Sequence, residues 1–316
     1  MQKLSIAIPT YNRRKQLQNQ LNSLFKQDLS KVEDIIVIDN HSNYNIKELL
    51  DTYNSKKIRL IINPINIGMS TNLQSPFLYC KTEWLWLLSD DDETLDNSIE
   101  KINEKIEKAT NNTGLIKFSL LNKNSTQSSK KINKLTEFID YYYNEKPIRK
   151  GEIIFMSTNV FNVNVLKDYL IYSFSYSYSY VGFIVPVFVA LDDEKISVNF
   201  VSDQIVEYIP PRDEGYRLDD VGKGFSILSY LNLKLNRSYL KKFMEIMTPI
   251  SYFQIFKFLL SNSDRNNPKT FNIIYSNSFK YYLNIFEKIL CKLLEVSLHL
   301  KITYILFRKL KYILKK

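Results

Sequence analysis

Histidine occurs only twice in this 316-residue chain, at His41 and His299. A histidine-rich metal site or a Ser-His-Asp triad would have to recruit one of these two, so both chemistries are poorly served. The two cysteines, Cys80 and Cys291, lie far apart and lack zinc-ligand spacing; they read as small buried hydrophobes or as a single long-range disulfide. Gly and Pro are scarce, at 7 and 9, which excludes collagen-like and linker-rich architectures. Long hydrophobic runs are missing as well. The longest uncharged apolar stretch, 181–191, is interrupted by Gly182 and Pro186 and is too short to span a bilayer. The N-terminus, MQKLSIAIPTYNRR, opens directly on a strand pattern without the apolar core of a signal peptide. The expectation is a cytoplasmic protein with no transmembrane helix.

What the chain has in quantity is apolar residues, 45%, and aromatics, including 22 Tyr and 19 Phe, enough for a sizeable core. The net charge of +10 is lopsided. Residues 1–230 carry 27 Lys/Arg against 29 Asp/Glu, a balance of −2, whereas 231–316 carry 16 against 4, a balance of +12. A basic region of this kind points to an anionic surface as partner. Nucleic acid is a poor candidate, because no finger spacing or recognisable binding module accompanies the charge.

The order of elements is legible from periodicity. Apolar runs at 3–8, 32–38, 58–62 and 83–88 read as strands, and the stripe Leu17, Leu21, Leu24 and Phe25 reads as a helix. Shorter helices fit 46–53 and the stretch around 73–80, and a longer one fits 95–109. Beyond that, the pattern predicts a strand at 116–121, a polar loop at 122–134, a strand at 150–156, a short helix at 161–169 and a strand at 198–209. Residues 172–180 alternate Tyr or Phe with Ser, a hydroxyl-rich segment that suits an acceptor surface for sugar rings or an ordinary aromatic edge strand. Residues 181–191 are buried as helix or strand. Continuous apolar strands alternating with helices describe a mostly parallel sheet covered on both faces, and such sheets place ligands beyond the carboxyl ends of their strands. The unusual polar groups fall at those ends: Pro9-Thr10-Tyr11, Asp39-Asn40 and Asp90-Asp91-Asp92.

Three adjacent carboxylates after WLWLLS are unfavourable without a compensating cation or donors. A hard divalent ion bridging phosphate oxygens supplies that compensation. In an extended chain Asp90 and Asp92 share one side and Asp91 points away. As residue types alone, the triplet also fits a solvated loop with Asp91 or Asp92 capping a helix, Asp39 a turn-forming Asx residue, and Asn66 with Gly68 an ordinary turn.

Four blocks in order, IAIPTYNR at 6–13, IIVIDNHS at 35–42, NPINIGMSTN at 63–72 and WLWLLSDDDE at 84–93, resemble the family 2 glycosyltransferases with the GT-A fold, of the type that builds bacterial surface polysaccharides. The resemblance is good over 1–121 and poor afterwards. It implies a GT-A nucleotide-sugar-binding domain at 1–225, with a donor half at 1–121 and an acceptor half at 122–225, and a helical, basic, membrane- or partner-associating region at 226–316. It implies that Pro9, Thr10 and Tyr11 line the nucleotide pocket with Arg13 nearby and Asp91 beside it, that Asp39 bonds the nucleobase, and that Asn66 and Gly68 shape the neighbouring loop. Asp90 would contact the ribose or donor sugar, and Asp92, with Asp90, would hold Mg²⁺ or Mn²⁺. The usual acidic pair after the second strand is here Asp39-Asn40. The donor would be a nucleotide diphosphate-sugar and the acceptor a saccharide hydroxyl, in related enzymes often on a polyprenyl diphosphate. Inversion requires a carboxylate base. No clean motif supplies one, so Asp192, Asp193, Asp203, Asp213 and Glu214 are candidates, with Asp213 favoured because it follows a strand-like run and two prolines and neighbours Arg212, which is suited to a phosphate.

The C-terminal apolar spacing at 279–294 and 302–313, with six basic residues and no acid in 301–316, fits a helix lying in an anionic membrane interface or a helical packing domain with a basic solvated face. The protein would then sit on the inner face of the cell membrane. Rival classes are a sugar-nucleotide nucleotidyltransferase, which PTYNRRK serves poorly for want of glycine, and a non-enzymatic membrane-associated glycan-binding protein.

Overall fold

The computed structural model describes residues 3–120, 129–144, 152–207, 218–248, 250–261 and 267–300. The chain divides into two compact units, Met1–Asp213 and Glu214–Lys316.

In the first unit, strand β1 (Leu4–Thr10) is buried along its whole length, as a central parallel strand covered on both faces must be. Helix α1 (Arg14–Phe25) follows and buries Leu17, Leu21 and Leu24, the stripe that the sequence spacing predicts. Then come β2 (Val32–Asp39), α2 (Ile46–Asp51) and β3 (Ile58–Ile62). The expected helix at 73–80 is instead two single turns, α3 (Met69–Asn72) and α4 (Pro76–Tyr79). Pro76 divides them because it has no N–H to continue the ladder of the preceding turn. Next are β4 (Trp84–Leu87), β5 (Glu93–Thr94), α5 (Ser98–Glu107), β6 (Thr113–Phe118), β7 (Lys130–Ile132) and α6 (Leu135–Asn144). β7 lies within the predicted polar loop, where only Ile132 turns inward; the loop's 122–128 portion lies outside the described residues.

The strand expected at 150–156 is replaced, over its described part, by 3-10 turns at Glu152–Ile154 and Met156–Thr158. The chain curls there around a buried lysine. Lys117 Nζ donates to the Glu152 and Phe155 carbonyls, at 2.9 and 3.2 Å, and to Thr158. Burial pushes the Lys117 ammonium down to about 7 despite the Glu152 charge. The helix expected at 161–169 is also corrected: Asn159–Asn162 is strand β8, whose apolar Val160 and Phe161 fill the gap between β4 and β6. The possible edge strand at 172–180 is helix α7 (Leu170–Ser175) followed by a 3-10 turn. The 181–191 run resolves into a 3-10 turn and helix α8 (Val185–Asp192), with Pro186 in the first turn where its missing N–H costs nothing. The predicted strand at 198–209 is two pieces, β9 (Ser197–Val201) and β10 (Val206–Glu207).

The main sheet runs β3-β2-β1-β4-β8-β6-β9-β7, with β8 and β7 antiparallel to their neighbours and the rest parallel. The expected mostly parallel α/β sheet is therefore present. Its core gathers Ile6, Ile8, Leu21, Val37, Trp84, Trp86 and Ile102. A second, two-stranded sheet pairs β10 with β5.

The second unit is helical: α9 (Leu218–Ser226), α10 (Arg237–Met247), α11 (Tyr252–Ser261), α12 (Asn267–Ile274), α13 (Lys280–Tyr282) and α14 (Ile285–Leu300). Its core joins Ile255, Phe256, Phe271, Phe279, Cys291 and Leu294. The apolar spacing from Phe279 onward does not make one helix. Leu283 is extended, and Asn284 restarts the helix by accepting from the Glu287 amide at 2.9 Å. Among the described residues, no helix is long and apolar enough to cross a membrane.

Candidate active site at the carboxyl ends of three strands

The parallel register aligns Thr10 with Asp39, and Asn40 N donates to the Thr10 carbonyl at 2.9 Å. Leu88 N donates to the Ala7 carbonyl at 2.9 Å, so β4 delivers its acidic turn to the same level. The sheet thus brings together the three polar strand ends that lie tens of residues apart in sequence.

The acidic residues are individually held. Thr10 Oγ1 donates to Asp90 Oδ2 at 2.6 Å. Arg13 sits just before α1 and sends one guanidinium nitrogen to Asp90 Oδ1 at 3.1 Å and to Asp91 Oδ2 at 2.5 Å. Ser89 Oγ completes Asp91. Asp90 and Asp91 therefore share one cation, which corrects the expectation that Asp91 points away. Residues 90–92 form bends rather than an extended strand, so alternation of side chains does not hold. Asp92 separates from the pair and accepts from Ser157 Oγ. Ser157 in turn receives the Ser89 amide at 2.9 Å, and its carbonyl takes the Trp86 indole N–H at 2.8 Å. Sequence reasoning missed Ser157. It lies in a stretch that reads as an ordinary serine beside a strand, and no local pattern links it to position 92.

Burial dominates the electrostatics. It raises Asp90 to about 6, against the pull of Arg13 and Thr10, and Asp92 to about 7, where among the described residues only the Ser157 hydroxyl is a close donor and the Asp91 and Asp90 charges add to the cost. Asp92 is the carboxylate of the three with the least compensation. Its Oδ1 accepts no hydrogen bond among the described residues, whereas both oxygens of Asp90 and both of Asp91 are engaged. A divalent cation fits that carboxylate oxygen in donor chemistry. Asp92 would hold it, and Asp90 would first have to leave Thr10 or Arg13. No group of three or more His, Cys, Asp or Glu side chains arranged to hold a metal occurs among the described residues, so other ligands would come from phosphate oxygens and water.

On the β2 side, Asp39 is 2% exposed and accepts from the Ser42 amide and hydroxyl, the latter at 2.6 Å. Asn40 organises the facing loop. Its Oδ1 accepts from Ile67 N at 3.0 Å and Asn63 Nδ2 at 3.1 Å, while its Nδ2 donates to Asn66 Oδ1 at 2.8 Å. Asn66 Oδ1 also receives Gly68 N at 2.9 Å, and Asn63 donates to Asn72 at 2.9 Å. An amide is required at position 40 because it must donate on one side and accept on the other; a carboxylate cannot. Gly68 has φ 83 and ψ 153, a conformation that is essentially glycine-only. Tyr11 is 42% exposed at the rim. The Tyr44 phenol is raised to about 12, first by burial and then by the Asp39 and Asp90 charges. Nothing in the residue pattern singles out Tyr44.

The sequence from residue 5 to 168 matches the glycosyl transferase family 2 domain. The chain belongs to this family. The glycosyltransferase resembles the abequosyltransferase RfbV of Salmonella typhimurium, at 28% identity over 100 residues; the match spans 30% of each chain. In fold it resembles S. aureus TarS 1-349 in complex with UDP-GlcNAc, with a TM-score of 0.64 at 16% identity, covering 94% of this chain and 89% of TarS 1-349. It also resembles the mannosyltransferase PcManGT from Pyrobaculum calidifontis in complex with GDP-Man and Mn²⁺, with a TM-score of 0.51 at 12% identity, covering 94% and 80%. These neighbours show the GT-A fold, and family membership sets aside the nucleotidyltransferase and non-enzymatic readings.

Of the base candidates, Asp213, Glu214 and their neighbour Arg212 lie outside the described residues. Asp203 pairs with Lys105 at 2.7 Å, and Asp193 receives the Tyr169 hydroxyl at 3.3 Å. Both are committed to structural partners.

Proposed function

We propose that this glycosyltransferase binds a nucleoside diphosphate-sugar across the ends of β1, β2 and β4 and transfers the sugar, with inversion, to a saccharide hydroxyl. The observation that carries the reading is the linkage of Thr10, Arg13, Asp90 and Asp91 by three hydrogen bonds across strand ends, with the Asn40 network beside it. Pro9, Thr10 and Tyr11 line the nucleotide, Asp39 meets the base, Asn66 and Gly68 shape the loop over it, and Asp90 faces the ribose or sugar. Mg²⁺ or Mn²⁺ on Asp92 would supply charge to offset the departing diphosphate. Arg13 is then a cation already in place for phosphate oxygens. The acceptor oxygen attacks the anomeric carbon, the bond from that carbon to the diphosphate oxygen breaks, and the leaving nucleoside diphosphate keeps the electron pair. Asp213 takes the acceptor proton. Support comes from the register Glu207 with Glu93, which starts the chain toward 213 beside the acidic turn; the six residues from 207 to 213 reach at most about 20 Å.

The acceptor in this proposal is carried on a polyprenyl diphosphate, and the protein works peripherally on the cytoplasmic membrane face. Helix α14 supports this. It buries Cys291, Leu294 and Leu298 and exposes Ile285, Phe286, Ile289, Leu293 and Val296, each at least 52% accessible, along the opposite face. Lys288 and Lys292 fall along one edge of that stripe at 100° per residue. An anionic bilayer suits both the apolar face and the +12 balance of 231–316. A second copy, or the basic 301–316 segment, would bring like charge.

A thermal-shift screen of UDP, GDP, dTDP and CDP with and without Mn²⁺, coupled to turnover of Asp92→Asn, tests the donor site. A metal-dependent shift with one base and a folded but nearly inactive variant are expected. Near-wild-type turnover by Asp92→Asn would remove that residue from the mechanism.

A further inference from the structure

We propose that the tyrosine-rich turn at 172–180 is a stacking platform for an uncharged pyranose ring of the saccharide acceptor. The proposal rests on the glycosyltransferase reading and adds the acceptor's binding surface to it.

The segment combines buried serines with surface tyrosines. Its small polar residues Ser173 and Ser179 are fully buried, while Tyr172 and Tyr178 are 37% and 49% exposed and Tyr176 and Tyr180 are half-buried. Two of the four serines of the run, Ser173 and Ser179, are thus hidden beneath rings left at the surface, whereas Ser175 is exposed and Ser177 half-buried. The serines act as anchors: Ser173 Oγ donates to Gln74 Oε1 at 2.7 Å, and the Val181 amide donates to Ser179 Oγ at 3.2 Å. Gly182 locks the fit, because a Cβ there would lie 2.6 Å from the Ser173 carbonyl and 3.1 Å from Gln74.

Backbone strain falls at the centre of the display. Tyr180 has φ 64, a left-handed conformation that is strained for a bulky residue and that glycine would adopt freely. The Tyr180 ring lies 6.4 Å from the Tyr178 ring, tilted by 48°. Strain of this kind gathers at ligand-contacting sites.

Position and chemistry name the ligand class. Gln74 lies just past α3, and the 3-10 turn carrying Tyr178 packs against α3, which begins immediately after Gly68. The platform is therefore fastened to the helical turn that follows the loop held by the Asn40 network. Residues 170–182 contain no Lys, Arg, Asp or Glu, so the surface offers no counter-charge to a phosphate. Rings and phenol hydroxyls suit the C–H faces and hydroxyls of a neutral sugar.

The test uses the full chain and a panel of methyl hexopyranosides and methyl N-acetylhexosaminides, observed by saturation-transfer NMR. Wild type should transfer saturation to pyranose C–H protons of at least one glycoside. Tyr178→Ala combined with Tyr180→Gly should cut that transfer at least fivefold, and Tyr178→Phe should keep most of it. Gly at 180 relieves the backbone, so loss of signal is not loss of fold; an unchanged melting temperature checks this. Retained transfer in the double variant, or no transfer to any glycoside in wild type, overturns the platform. So does a double variant that loses binding to phosphatidylglycerol vesicles while keeping the glycoside signal, since the tyrosines would then be a lipid contact. A protein that binds glycosides but shifts with no nucleoside diphosphate leaves the platform standing and sinks the donor assignment.

Discussion

Asn40→Asp changes one atom of a buried side chain and isolates what the amide contributes. Asn40 is 2% exposed, and three groups converge on it: the Ile67 amide and Asn63 Nδ2 donate to Oδ1, and Asn66 Oδ1 accepts from Nδ2. A carboxylate can still receive the first two. It cannot donate to Asn66, so two acceptor oxygens would face each other at 2.8 Å in place of a hydrogen bond. Loss of a buried partner costs about 1–3 kcal/mol, and the added charge lies close to buried Asp39. A central value of about 2 kcal/mol corresponds to a melting temperature lower by about 4–8 °C for a unit of this size. Asn66 Oδ1 also receives the Gly68 amide, so the damage should concentrate at 66–68. Hydrogen exchange at Ile67 and Gly68 should accelerate more than at the β1 amides, and nucleoside diphosphate affinity should fall with it. Protein in which Asn40→Asp melts as wild type and protects Ile67 and Gly68 equally would refute the network argument. It would also show that this family member tolerates an acidic pair after β2.

Two further outcomes are expected. Lys117 has its ordinary value of 10.5 lowered to about 7 in the fold, so between those pH values the unfolded chain binds a proton that the folded chain does not. Stability should rise with pH through that window, by up to about 5 kcal/mol, and Lys117→Met should flatten the rise in denaturant titrations at pH 7, 8.5 and 10; an unaltered slope means that the folded ammonium stays charged. For the helical unit, Ile289→Asp with Leu293→Asp should abolish co-sedimentation with phosphatidylglycerol vesicles while nucleotide thermal shifts persist. Equal vesicle binding by wild type and variant removes the α14 stripe from the membrane contact, and a wild type that binds no vesicles removes the membrane reading itself.

The donor half was readable in the sequence because its determinants are local and repetitive. A mostly apolar run such as 4–8 is either a covered strand or a buried helix segment, and its shortness, closed by Pro9, decides for the strand, which runs on to Thr10. The same logic fixes Asp39 and Asp90 at strand ends, and a parallel sheet then sets those ends side by side without any long-range signal in the residues themselves. The logic fails where a partner distant in sequence overrides the local pattern. Residues 152–158 lose their strand to Lys117, a partner contributed by β6 whose N–H groups must find acceptors once it is buried. Residues 159–162 gain one because β4 and β6 leave a slot that only an apolar antiparallel segment fills. Ser157 becomes a site residue through the same curl: the turn that wraps Lys117 is what presents its hydroxyl to Asp92. The buried Lys117 and the least compensated carboxylate, beyond the carboxyl end of β4, are thus held by one stretch, 152–158, and a substitution at either end should be felt at the other.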